Sequence, residues 1–181
     1  KRIISLVPSL TELLSELNLN EEVIGITQFC VHPEGWFKSK PRVGGTKNVH
    51  VEIVHKLNPD LIIASKEEHV KEQIEELSRS YNILLTDINN LDMAMLSILH
   101  IGELTGRIYN SIKMVSEIRD RFYNLNSHLQ NKEKTNAAYL IWQNPYMAAG
   151  GETFIHEMMY YCGLQNIFSD TKRYPETTFK E

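Results

Sequence analysis

The sequence is poor in cysteine, in net basic charge and in long apolar runs, and each shortage removes a class of protein. Cys30 and Cys162 are the only cysteines; they stand far apart and form no Cys-x-x-Cys motif. A disulfide-dense scaffold is excluded, and the redox compartment stays open. The two are not expected to bond to each other. Cys162 reads as a buried residue on the apolar side of a helix, with a disulfide only if a partner lies past residue 181. Basic residues number 19 against 23 acidic ones, for a formal net charge of -4. They are interspersed, so no basic stripe exists to neutralise a phosphate backbone, and nucleic acid is not an expected partner. No run approaches the roughly 20 apolar residues of a membrane span, so no transmembrane segment is expected. The opening "KRIISLVPSL" is interrupted by Pro8 too early to be a signal peptide. The protein is therefore either cytosolic or stripped of an export signal.

What is present is a plain globular composition, 42% hydrophobic and 23% charged, which excludes disordered and collagen-like classes. "RIISLV" is a β-branched run that meets Pro8 and then Ser9-Leu10-Thr11-Glu12, a capping box followed by apolar Leu13, Leu14 and Leu17. "VIGIT" follows as a buried strand, which makes a βαβ unit. "NPDLIIAS" and "YNILLTD" repeat the theme around a charged helix with Val70, Ile74 and Leu77 on one face. Residues 1–90 thus read as an α/β lobe.

From Leu91 the spacing turns helical, and Gly106 is a natural stop between two helices. The second, carrying Ile108, Ile112, Val115, Ile118, Phe122, Leu125 and Leu129, would be about 35 Å long and could connect two lobes. Residues 91–131 are assigned to this helical connector. After it, "AAYLIW" reads as a strand and "TFIHEMMYYCGLQNIF" as a helix pattern, the start of a second α/β lobe over 132–181. A loose internal repeat supports two related lobes. Glu12-Leu13-Leu14 leads on to Leu19 as Glu157-Met158-Met159 leads on to Leu164. The fold class expected is α/β, two lobes with parallel-type sheets joined by a long backbone helix. The last four residues, Thr178 to Glu181, spell a capping box with no helix after it. A longer native protein is expected, with its second lobe unfinished here.

Several residue patterns invite chemistry. His50, His55 and His32 cluster in sequence, but a five-residue spacing does not put His50 and His55 on one helical face, so no metal site is expected. Cys30 with His32 could serve as nucleophile and base in a cytosolic thiol-dependent enzyme or sensor, although residues two apart on a strand point to opposite faces. "GGTKN" and "AAGGET" lack the spacing of a phosphate-binding loop. Trp36 and Trp142 read as partly buried packing residues. Glu52 and Glu181 each fall in the first turn of a helix pattern, where dipole and free N–H groups already account for a carboxylate.

In order along the chain, "RIISLVPSLTELLSELNL", "VIGITQFCVHP", "PRVGGTKNVHVEIVHKLNPDLIIAS" and "GGETFIHEMMYYCGLQNIFSDTKRYPE" resemble the substrate-binding proteins of ABC importers for vitamin B12, siderophore-bound iron and haem. These proteins form the class with a helical backbone between two lobes. "SLVPSLTELL" is closest to the cobalamin-binding branch. The resemblance implies a protein that does no chemistry and has no resident cofactor. It further implies capture of a metal chelate, a corrinoid first and alternatively a ferric siderophore or haem, and its delivery to the membrane permease. It implies a monomer, in the periplasm or tethered outside the cytoplasmic membrane. By motif, the ligand-facing positions fall on Phe29, Cys30, Thr46, Lys47, Met147, Arg173 and Tyr174, and the permease-docking carboxylates on Glu52 and Glu181. One departure stands out: Thr46 occupies a place that can carry tryptophan in the cobalamin-binding pattern.

Overall fold

Strand β1 (Ile3–Ser5) is fully buried, as an unbroken apolar run requires of a strand covered on both faces. It pairs in parallel with β2 (Val23–Ile26) on one edge and β3 (Leu61–Ser65) on the other. Strand β4 (Ile83–Thr86) pairs in parallel with β3, giving the order β2-β1-β3-β4. The computed structural model describes residues 1–129 and 132–178. These fall into two units, Lys1–Asp87 with His100–Asn110, and Ile88–Leu99 with the chain from Ser111 onward.

In the first unit, helices α1 (Pro8–Glu16), α2 (Glu34–Ser39), α3 (Val51–Leu57) and α4 (Lys71–Ser78) alternate with the strands. One core cluster joins Ile4, Leu6, Ile62 and Ala64 to Val54, Ile74 and Leu77. The capping box expected at Ser9 is not used. Pro8 takes the first helical position after Val7, where its missing N–H costs nothing and its fixed φ suits the helix. Thr11 is buried on this helix. Val70 also leaves the face assigned to it: it precedes α4 and is exposed, while Ile74 and Leu77 are buried. Trp36 is buried on α2.

Helix α5 (Leu91–Thr105) ends at Gly106, whose φ of 73° closes it, and α6 (Ile108–Leu129) follows with 22 residues. The end of the first unit is fixed by Arg107, whose guanidinium lies 2.8 Å from the Glu22 carboxylate, both largely shielded from solvent. In the second unit, Val115 of α6 is buried with Leu91 and Met95 of α5, and Phe122 and Tyr161 pack on them, their two rings edge to face with each other at 4.8 Å. The expected apolar stripe of α6 is only partly used, since Ile112 and Leu125 are exposed.

"AAYLIW" is not one strand. The chain switches sheets within it: β5 (Thr135–Ala137) pairs in parallel with β8 (Leu164–Asn166), whereas β6 (Leu140–Trp142) pairs antiparallel with β7 (Tyr146–Ala148), which also holds β9 (Glu176–Thr177). The β5/β8 pair spans α7 (Phe154–Tyr161), so the parallel arrangement of the first unit recurs here, with an antiparallel sheet added. Trp142, expected to be partly buried, is 63% exposed, because it shares the open face of β6 with Leu140 and no described element covers that face. Cys162, expected to be buried, is exposed: it is the residue that ends α7, off the inner face, and its N–H bonds back to Met158 and Met159.

Ile62 is the test of the first core, since it is fully buried on β3 between β1 and β4. Ile62→Ala is expected to lower unfolding free energy by about 2–5 kcal/mol in a urea titration. A loss under about 1 kcal/mol would contradict this packing.

Candidate functional site

The carboxyl end of β2 runs into a turn that carries Gln28, Phe29 and Cys30, and residues 42–50 form a narrow hairpin beside it. The two are stitched by backbone bonds: Ile26 pairs with Arg42 in a parallel bridge, Val43 N–H donates to the Ile26 carbonyl at 3.0 Å, and Gln28 N–H donates to the Gly44 carbonyl at 2.9 Å. The hairpin is closed by Gly45 N–H to the Asn48 carbonyl and His50 N–H to the Val43 carbonyl, both at 2.9 Å. Its turn leaves Thr46, Lys47 and Asn48 at the tip.

Together they line an open pocket of about 370 Å³, formed by Gln28, Phe29, Gly45, Thr46, Lys47, Asn48 and His50. The Phe29 ring is 52% exposed, an apolar face offered to solvent. Around it stand two amides, a hydroxyl, an imidazole and the Lys47 ammonium, and no carboxylate lines the pocket. Such a wall suits the face of a large planar ligand with polar, mostly uncharged edges.

Cys30 is not part of this wall. It is fully buried, and its Sγ lies 3.1 Å from the Thr11 hydroxyl and 3.2 Å from that of Thr27. Thr11 also donates to the Val7 carbonyl at 2.8 Å and lies 2.7 Å from Ser5 Oγ. The thiol is thus a polar anchor under the turn, inaccessible to ligand or substrate, which corrects its assignment as a ligand-facing residue and as a reactive thiol. The sequence could not reveal the Thr11 contact, because that hydroxyl, with Ser5 behind it, reaches Cys30 only through the fold. His55 is likewise engaged, with Nδ1 2.7 Å from the Tyr81 hydroxyl, while His50 faces the pocket. Among the described residues no group of three His, Cys, Asp or Glu side chains is placed to hold a metal ion.

The remaining ligand-facing candidates lie in the second unit. Met147 is half-buried on β7 opposite Glu176. Arg173 and Tyr174 precede β9 on a segment clamped to "AAGG": Gly150 N–H donates to the Arg173 carbonyl and Gly151 N–H to the Thr171 carbonyl, both at 2.7 Å, and Arg173 N–H returns to Gly151 at 2.9 Å. A Cβ on Gly150 would stand 2.1 Å from the Thr171 oxygen, so only glycine permits this approach. Glu52 is exposed in the first turn of α3, and Glu181 lies outside the described residues.

A second concavity of about 300 Å³ opens between α5, α6 and α7, lined by Asp92, Arg119, Tyr123, Phe122 and Tyr161 among others. Burial and the nearby Glu157 and Asp92 carboxylates raise the Tyr161 phenol above its ordinary value. Glu157 itself accepts a hydrogen bond from the Leu91 N–H that opens α5.

Thiol titration checks the two cysteine environments. In the folded protein one equivalent, Cys162, is expected to react with an aromatic disulfide reagent, and Cys30 only after denaturant is added. Rapid reaction of both would show that the hydroxyl cluster does not shield Cys30.

The vitamin B12-binding protein of Vibrio vulnificus is 24% identical over 183 residues, covering 100% of this chain and 67% of the relative. Among solved structures, the periplasmic vitamin B12 binding protein BtuF of Vibrio cholerae superposes with a TM-score of 0.87 at 22% identity, over 98% of this chain and 70% of that one. A periplasmic heme binding protein from Pseudomonas aeruginosa gives the same TM-score at 18% identity, over 98% and 66%. The chain therefore spans about two thirds of the length of these proteins. A family model described as periplasmic binding protein matches residues 3–180. The chain belongs to the periplasmic binding protein family.

Proposed function

We propose that the protein captures a corrinoid, cobalamin above all, outside the cytoplasmic membrane and delivers it to an ABC importer. The observation that carries this reading is the composition of the pocket around Phe29. An aromatic face there is ringed by Gln28, Asn48 and Thr46, with Lys47 as its only side chain of fixed charge. A corrin is a broad, nearly flat macrocycle whose rim bears neutral carboxamides, and a single phosphodiester hangs from it. Amide and hydroxyl side chains can donate to and accept from such a rim, and one ammonium suffices for one phosphodiester. Haem, with two propionates, or an anionic ferric catecholate would call for more cationic partners. The relatives named for vitamin B12 binding support the same choice.

Met147, Arg173 and Tyr174 are proposed to supply further ligand contacts from the second unit. Titration calorimetry with cyanocobalamin, haemin and a ferric catecholate siderophore decides the ligand, and cyanocobalamin is expected to bind tightest. Phe29→Ala and Tyr174→Ala are each expected to weaken it by about 1–3 kcal/mol, by analogy with bases stacked on aromatic side chains. If none of the three compounds binds, this function is wrong.

Glu52, exposed at the start of α3, is proposed to dock on the permease, with Glu181 as its counterpart. Charge at such a contact steers encounter and sets register. Glu52→Lys is expected to leave cyanocobalamin affinity unchanged while uptake into permease-containing vesicles drops. Normal uptake by both Glu52→Lys and Glu181→Lys would reduce these residues to helix-start carboxylates.

A further inference from the structure

Two adjacent glycines in the pocket hairpin lack side chains for different reasons. Gly44 has a φ of 99°, and a Cβ on it would lie 2.3 Å from the Asn48 carbonyl oxygen, so the hairpin backbone itself demands glycine. Gly45 is under neither constraint. Its φ is outside the left-handed region, and the three atoms nearest to its Cβ position are all side-chain atoms: Phe29 Cε2 at 3.2 Å, Gln28 Nε2 at 3.4 Å and Gln28 Cδ at 4.0 Å. The space left by the missing side chain is filled by the aromatic ring and the amide that line the pocket.

We infer that Gly45 is a positioning residue for the ligand platform: its bare Cα lets the Phe29 ring rest against the hairpin with its other face open, and holds the Gln28 amide beside that ring. The inference rests on the proposed function, in which that face receives a flat ligand. Gly45 touches the ligand's environment through Phe29 and acts by fixing where the ring lies. A methyl group at 3.2 Å from an aromatic carbon forces the ring to yield by a few tenths of an ångström, because the backbone on the other side is pinned by the Gln28 to Gly44 and Gly45 to Asn48 bonds. The backbone itself accepts alanine, and losing a glycine reduces the freedom of the unfolded chain, so the melting temperature of Gly45→Ala is expected to stay level or rise.

The test is a double-mutant cycle read with cyanocobalamin on the parent, Gly45→Ala, Phe29→Ala and the double variant. Gly45→Ala is expected to lose about three- to tenfold in affinity, the cost of moving a side chain off its preferred rotamer. In the Phe29→Ala background the same change is expected to cost less than about twofold, since no ring remains to be displaced. Parent-like affinity of Gly45→Ala, an equal loss in both backgrounds, or a lowered melting temperature would each overturn the inference, the last two by revealing a backbone role. Should the parent not bind cyanocobalamin, the proposed function fails, and the positioning claim is judged without ligand. For that, 4-fluorophenylalanine is incorporated at the six phenylalanines, and the resonance missing from Phe29→Ala is assigned to position 29. A shift of that resonance in Gly45→Ala upholds the contact, and an unchanged resonance refutes it.

Discussion

Strand β1 has hydrogen-bonded neighbours along both edges and no exposed face, and the first unit is registered on it. Ile3 and Ile4 fix the depth of the sheet, and the strand ends at Ser5, whose side chain is already part of the polar cluster with Thr11. From there the cluster reaches Cys30 and Thr27 beyond the end of the neighbouring β2. The candidate pocket therefore sits where parallel strands release the chain, at their carboxyl ends, the position at which open α/β sheets commonly bind ligands. Its turn is anchored from below by buried hydroxyl and thiol groups and from the side by backbone bonds to the hairpin. A site built this way can keep an exposed phenylalanine in place without burying it.

Much of this framework was legible in the sequence because it is encoded locally. Apolar runs at 3–5, 23–26 and 61–65 are strands with little or no exposed face to alternate toward, the run at 83–86 is an edge strand and leaves Leu85 exposed, and Gly106 between two helical patterns marks a joint that its positive φ makes real. What was not legible depends on partners distant in sequence. Nothing in "AAYLIW" says that its first and last residues belong to different sheets, since the switch is decided by β8 and β7, which come later. The capping box at Ser9 was a sound local signal overruled by a proline one residue earlier. Cys162 follows the helical period only as far as the helix lasts, and α7 stops at Tyr161.

The candidate pocket was half visible for the same reason. Phe29, Thr46 and Lys47 could be assigned by motif, but Gln28, Gly45, Asn48 and His50 lie on loops that carry no periodicity, and only the stitched backbone brings them around one ring. Cys30 sits next to Phe29 in sequence and faces the opposite way, into the protein. In a tight turn, adjacency along the chain says little about which side chain meets solvent. The absence of carboxylates from the pocket is likewise a property of the assembled group, since the whole sequence carries carboxylates in excess.

The clamp between Gly150–Gly151 and the 171–173 segment leaves no room for even a methyl group, whereas Arg173, on the backbone it fixes, is exposed, with Met147 and Tyr174 half-buried nearby in the chain. Rigid main chain and replaceable side chains amount to a mounting rail with exchangeable fittings. Under the proposed function, a surface of that design can be refitted for a different chelate by single substitutions, with the geometry of the rail carried over unchanged.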